Sequence, residues 1–146
     1  MTVLANKLGA ISAPAGRVLL SLIFIMAGLQ KISGYSGTQA YMEAMGVSGG
    51  LLPLVILVEL GGGIALLLGW KARVAAFVLG GFSVVSGVLF HLVPGISMEG
   101  MAAQAEITSF LKNLTIAGGM GMVVIFGAGH WSLDNRQLTG GRATAA

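Results

Sequence analysis

An all-α, four-helix transmembrane bundle with both termini cytoplasmic is the fold this sequence predicts, and three observations carry it. The 146 residues are 55% hydrophobic and only 9% charged, with a mean hydropathy of +0.91, outside the usual range of soluble domains. Four apolar stretches are long enough to cross a bilayer as helices, near 14–33, 51–69, 74–93 and 109–129. Lysine and arginine divide unequally between the two sides these helices define: Lys7, Arg17, Lys71, Arg73, Arg136 and Arg142 against Lys31 and Lys112. The richer side, which holds both termini, is the cytoplasmic one by the positive-inside rule. The same rule accounts for the net charge of +3, since basic residues scattered singly at helix ends form no nucleic-acid surface.

Residues 1–13 read as a mildly polar cytoplasmic segment, after which Pro14 suits the first turn of a helix. The apolar core from Val18 to Leu29 is too short to cross alone, so Arg17 and Lys31 belong to the ends of the first span, where their long side chains would snorkel. Lys7 ahead of an apolar run also fits a signal peptide, but no small-residue cleavage site follows and three more spans do. Between Gly34 and Gly50 the chain is polar and glycine-punctuated, with two turns of interfacial helix over 38–45 that place Tyr41, Met42 and Met45 on one face.

The second span, Leu51 to Leu68, carries a single charge, Glu59. A carboxylate at that depth costs several kcal/mol unless it is paired or faces a polar cavity. A short turn around Trp70 to Arg73 makes the second and third spans antiparallel neighbours. The third span carries His91 near its end at Val93, with Pro94 and Gly95 as its stop signal. Ala76 with Gly80, Ser83 with Gly87, and Gly61 with Ala65 and Gly69 stand at the spacing that lets helix backbones approach closely. The fourth span follows a polar stretch, 96–106, that can hold a short helix; it opens with Lys112 and Asn113, and beyond His130 a Gly/Ala/Thr-rich tail over 131–146 reads as disordered.

Gln30, Lys31, His91, Lys112 and Asn113 fall near the outer ends of their helices, and Glu59 lies about 12 Å below the outer end of its own. Helical side chains tilt toward their N-termini, so Lys31 and His91 lean inward while Glu59 leans outward. A pair between Glu59 and Lys31, or with His91 or Lys112 in its place, would compensate the buried carboxylate. Such a cluster serves either as a polar lock between helices or as a site that hydrogen-bonds a quinone head group or relays protons, with Glu59 and His91 as the acid–base groups. His91 and His130 lie about a bilayer apart and cannot share one haem. With no cysteine, the chain has no thiolate metal site, iron–sulfur cluster or dithiol of its own.

These residues stand in a recognisable order. Arg17-Val18-Leu19-Leu20, the Phe24 to Ile32 run with Gly28 and Lys31, Glu59-Leu60-Gly61-Gly62-Gly63, Leu68 to Arg73, Phe90-His91 and Phe110 to Leu114 with Gly118-Gly119 together resemble the DoxX family of small bacterial inner-membrane proteins. The resemblance spans 17–129 and implies a four-helix membrane domain over 14–130, distantly similar to the membrane subunit of thiosulfate:quinone oxidoreductase. It carries over Lys31, Glu59, His91, Lys112 and Asn113 as the site without naming its ligand or a reaction; a quinone is the cofactor expected from the chemistry of these residues. Two functions are compatible with it. One is a quinone-interacting membrane subunit of, or accessory to, an oxidoreductase. The other is a non-catalytic scaffold or assembly factor, with glycine-rich faces that dock partner proteins or a second copy of the chain. A transporter fits less well, because four short helices lack paired repeats and broken spans.

Overall fold

A computed structural model describes residues 2–136, and these are helical with no strand among them. Helix α1 runs Thr2–Ser33, α2 Tyr35–Ala44, α3 Leu52–Leu68 after a 3₁₀ turn at Gly49–Leu51, α4 Ala72–Gly87, and α6 Gly100–Phe126. A π-helical turn, Val88–Leu92, joins α4 to a last short turn, α5 (Val93–Gly95). Four of these units are long and apolar enough to span a bilayer: Ala10–Ser33, Gly49–Leu68, Ala72–Gly95 and Gly100–Phe126. Large apolar side chains such as Leu19, Phe77, Ile125 and Phe126 stand on the outside, where lipid tails cover them.

The four spans are those the sequence predicts, with two boundaries moved. Pro14 lies inside α1 and not at its start, because a missing N–H frees one carbonyl but does not end a helix flanked by good helix formers. The polar stretch before the fourth span is continuous with it, so α6 begins at Gly100. The interfacial helix is α2, with Met42 buried beneath it.

Helix α1 packs on α3, α3 on α4 and α4 on α6, while α1 touches α6 sparingly. The core is Phe24, Leu66, Ala75, Ala76, Leu79 and Met120. The small residues of α4 do what their spacing predicts: Ala76, Gly80, Ser83 and Gly87 are buried, and a β-carbon on Gly87 would stand 2.8 Å from that of Asn113 on α6. On α3 the working glycines are different from those the spacing picks out. Gly61 faces outward, whereas Gly62 abuts Leu79 and Gly63 abuts Ile25 and Phe24.

The segment after α6 is folded, a correction to the disordered tail expected from 131 onward; residues 137–146 lie outside the described residues. Arg17 does not snorkel either. It is 3% exposed, and its guanidinium donates to the carbonyls of Ala128, His130 (3.1 Å) and Trp131 (2.8 Å). Asp134 then accepts the backbone N–H groups of Lys71 (2.8 Å) and Ala72 (2.9 Å), while its own N–H donates to the carbonyl of Gly69 (2.9 Å). A carboxylate at the start of α4 satisfies orphan donors and complements the helix dipole. Gly69 turns there with φ +66, and a β-carbon on it would stand 2.4 Å from that of Ser132. This clasp ties α1 and the α3–α4 turn to the segment after α6.

Asp134→Ala is expected to lower stability in detergent by about 1–2 kcal/mol, as loss of a helix cap does. Arg17→Gln is expected to cost about 3 kcal/mol, since it strands several carbonyls at once. Denaturation curves for the two variants check this, and an Arg17→Gln chain as stable as the wild type would contradict it.

Candidate functional site

A cavity of about 310 Å³ lies at the end of the bundle opposite the clasp. Helix α1 contributes Ile23, Phe24, Ala27 and Lys31 to its wall, α3 contributes Val55 and Glu59, and α6 contributes Asn113 and Ile116. The largest share comes from α4 and the π turn, with Phe82, Ser83, Ser86, Phe90 and His91, while Thr38, Tyr41 and Met42 of α2 close the end. Apolar and aromatic walls with a few convergent polar groups are the usual make-up of a small-molecule site.

Lys31 Nζ stands 2.8 Å from Glu59 Oε1, the pairing the sequence puts first. The approach is possible because Gly28 and Gly63 let α1 and α3 come together: a β-carbon on Gly28 would stand 2.6 Å from Leu60. Glu59 is 4% exposed, and its second oxygen, Oε2, is buried without a hydrogen-bond partner among the described residues. A buried acceptor left unmade costs about 1–3 kcal/mol, more when charged, so it is a feature to be explained.

His91 joins the wall but not the Lys31–Glu59 pair. Its Nδ1 stands 2.7 Å from Oε2 of Glu106, in the second turn of α6. A carboxylate on one ring nitrogen fixes the imidazole and leaves the other nitrogen free. Glu106 is the site residue that sequence reasoning missed. The signal was available in Pro94: a proline ring crowds the carbonyl four residues back and offers no N–H, which favours a wider turn just before it. In that turn Val93 N–H donates to the carbonyl of Val88, five residues back, and Phe90 and His91 both reach the cavity. Phe90 also stacks on Tyr41, ring centres 5.7 Å apart and planes at 27°, which holds α2 over the cavity. Burial first, and the charge of Glu106 second, hold the Tyr41 phenol above its ordinary pKa, so it remains a neutral hydroxyl at physiological pH.

The other carried-over residues divide. Asn113 lines the cavity and donates from Nδ2 to the carbonyl of Ser109 at 3.0 Å. Lys112 is exposed on the outer face of α6 and is absent from the wall, because one helical position turns a side chain about 100° from its neighbour. Gln30, next to Lys31, is exposed for the same reason, and His130 belongs to the clasp end.

Comparison with known proteins fits this arrangement of spans. The DoxX family model matches residues 13–92, which hold Arg17, Lys31, Glu59 and His91. The chain belongs to the DoxX family. It is 44% identical to inner membrane protein YqjF of Escherichia coli (strain K12) over 129 residues, 88% of this chain and 94% of that one. It is 33% identical to inner membrane protein YphA of the same organism over 122 residues, 82% of this chain and 86% of the relative. No solved structure matches it significantly. With four bilayer-length apolar helices, this DoxX protein is a multi-pass protein of the bacterial inner membrane.

Glu59→Gln leaves Lys31 without its counter-charge. Breaking a fully buried pair costs about 3–5 kcal/mol, and with the Lys31 side chain 26% exposed about 2–3 kcal/mol is expected. The double variant Lys31→Met, Glu59→Leu is expected to cost clearly less than the two single changes added together. Strict additivity in such a cycle would rule out the pairing.

Proposed function

We propose that this DoxX protein is a quinone-interacting membrane subunit of, or accessory to, an oxidoreductase, and that its cavity holds the quinone head group. The observation that carries the reading is that the Lys31–Glu59 pair and His91 converge on one cavity whose walls are mainly apolar and aromatic. Phe24, Phe82 and Phe90 offer ring faces to a planar head, Lys31 offers a hydrogen-bond donor, and Glu59 and His91 offer acid–base groups. The His91–Glu106 couple, each side chain 31% exposed, would connect the cavity to water as a proton path.

Quinone reduction takes two electrons and two protons. This cysteine-free chain offers groups for the protons, so the electrons would be exchanged with a redox centre in a partner oxidoreductase. By the positive-inside rule the lysine and arginine asymmetry favours cytoplasmic termini, and in that orientation the cavity would stand in the outer leaflet at head-group depth.

The opening of the cavity favours a lipid-borne ligand over a water-soluble one. Ile23 lines the cavity and is also 50% exposed, and α1 and α6 barely touch, an arrangement that would let the cavity open to lipid. The aqueous end is covered by α2 with its buried Met42 and stacked Tyr41. A head group would enter from the bilayer and leave its tail in it.

Titrating a short-tailed ubiquinone analogue into the protein in lipid nanodiscs, followed by calorimetry, tests the reading. Saturable binding is expected, weakened roughly tenfold or more in folded Glu59→Gln and His91→Ala variants and hindered in Ile23→Trp. Absence of saturable binding, or full affinity in well-folded variants, would leave the cluster as a polar lock and favour the scaffold function.

A further inference from the structure

A second cavity, a groove of about 250 Å³, runs along the contact between α4 and α6, and every residue that lines it is apolar. It opens on the outside of the bundle, where Phe77, Gly81 and Val84 on its rim are exposed. Gly80 and Met120 are buried at its floor, where a β-carbon on the glycine would stand 3.1 Å from that of the methionine. Gly81 and Gly121 keep its walls open, since a β-carbon on either would meet nothing within 4 Å. Left empty, such a trough forfeits the dispersion contacts of its walls, so in a bilayer hydrocarbon occupies it.

The groove has a charged end. Helices α4 and α6 run antiparallel, and the start of one meets the end of the other where a β-carbon on Gly127 would stand 3.3 Å from Nε and 3.4 Å from Nη2 of Arg73. Ala76 and Phe77 stand one turn beyond Arg73 and Val124 one turn before Gly127, so the guanidinium lies at the clasp end of the groove. Arg73 opens the span Ala72–Gly95, which places its charge at head-group depth. Its position beside the C-terminus of α6 suits the helix dipole, yet it is exposed and has no hydrogen-bond or ion-pair partner among the described residues.

We propose that this groove binds an anionic phospholipid, with one acyl chain along α4 and α6 and the phosphate on Arg73. The site is separate from the quinone cavity and does not rest on that reading. A guanidinium matches two phosphate oxygens with parallel N–H donors. Lys71 and Arg136 stand at the same end, and Asp134, the acid among them, is already bound to the N–H groups of Lys71 and Ala72. That balance favours a lipid of net negative charge over a zwitterionic one with the same phosphate. A second copy of the chain is the poorer occupant, because it would share this orientation in the membrane and would have to bring an acid to Arg73. Asp134 is spent on α4, Glu59 is paired with Lys31, and Glu43, Glu99 and Glu106 stand at the opposite end.

Native mass spectrometry of the delipidated full chain, titrated with dioleoylphosphatidylglycerol and separately with dioleoylphosphatidylcholine, tests the proposal. One phosphatidylglycerol is expected to bind saturably, roughly tenfold more tightly than phosphatidylcholine. Arg73→Gln is expected to erase that preference, whereas Lys71→Gln, which removes the same charge from the same end but not from the groove, is expected to keep most of it. Gly121→Leu, whose side chain enters the open groove, is expected to weaken both lipids roughly tenfold; Gly81→Leu carries the same test if Gly121→Leu does not fold. Equal losses in Arg73→Gln and Lys71→Gln would mean a diffuse surface field and overturn the proposal. So would undiminished lipid binding in a folded groove-filling variant, or a lipid-free dimer that such a variant breaks, which would assign the groove to a second copy.

Discussion

A carboxylate set within the third helical unit of this bundle is tolerable only with a cation brought to it through the packing of helices, and much of the architecture follows from that requirement. Lys31 sits in the last turn of α1 and reaches down; Glu59 sits midway along α3 and reaches up, so the two meet at 2.8 Å. Side-chain tilt toward the helix N-terminus makes that meeting possible, and Gly28 and Gly63 make the helices close enough. In a bilayer apolar side chains gain nothing by leaving lipid for protein, so close glycine contacts and polar pairs hold the helices together. The other oxygen of Glu59 is buried without a partner among the described residues, and the pair lines the wall of the cavity.

The opposite end of the bundle is built on the reverse plan. Arg17 is also a buried charge inside an apolar helix, but its partners are backbone carbonyls of the segment after α6, and Asp134 from that segment caps α4. Among the described residues each end holds one buried charge with one atom left over, Arg17 Nε in the clasp and Glu59 Oε2 at the other end. What distinguishes the two ends is the cavity, which Lys31 and Glu59 line and Arg17 does not.

Sequence made the spans legible because apolar run length is a direct physical requirement of the bilayer, and the Lys31–Glu59 pair legible because a lone intramembrane carboxylate demands a cation. What it hid depended on contacts between distant segments or on non-standard backbone. Glu106 looked like one more surface acid until the π turn brought His91 to it. Asp134 stood beyond the last span and the carbonyls of 128–131 at its end, and nothing in a sequence marks which backbone carbonyls Arg17 will find. Lys112 was grouped with Asn113 by proximity in sequence, but adjacent helical residues point about 100° apart and only Asn113 reaches the wall. Pro94 could have announced the wider turn, and read for its effect on the residues before it, it would have.

The claim on which the account turns is that Glu59 is a paired, charged hydrogen-bond acceptor. Infrared difference spectroscopy at neutral pH, subtracting Glu59→Gln from wild type in nanodiscs with carbon-13-labelled glutamate, reads that state directly. The account predicts that the band lost on substitution belongs to a carboxylate. Loss of a carboxylic-acid carbonyl band in its place would mean that Glu59 is protonated beside Lys31, and would contradict the ion pair.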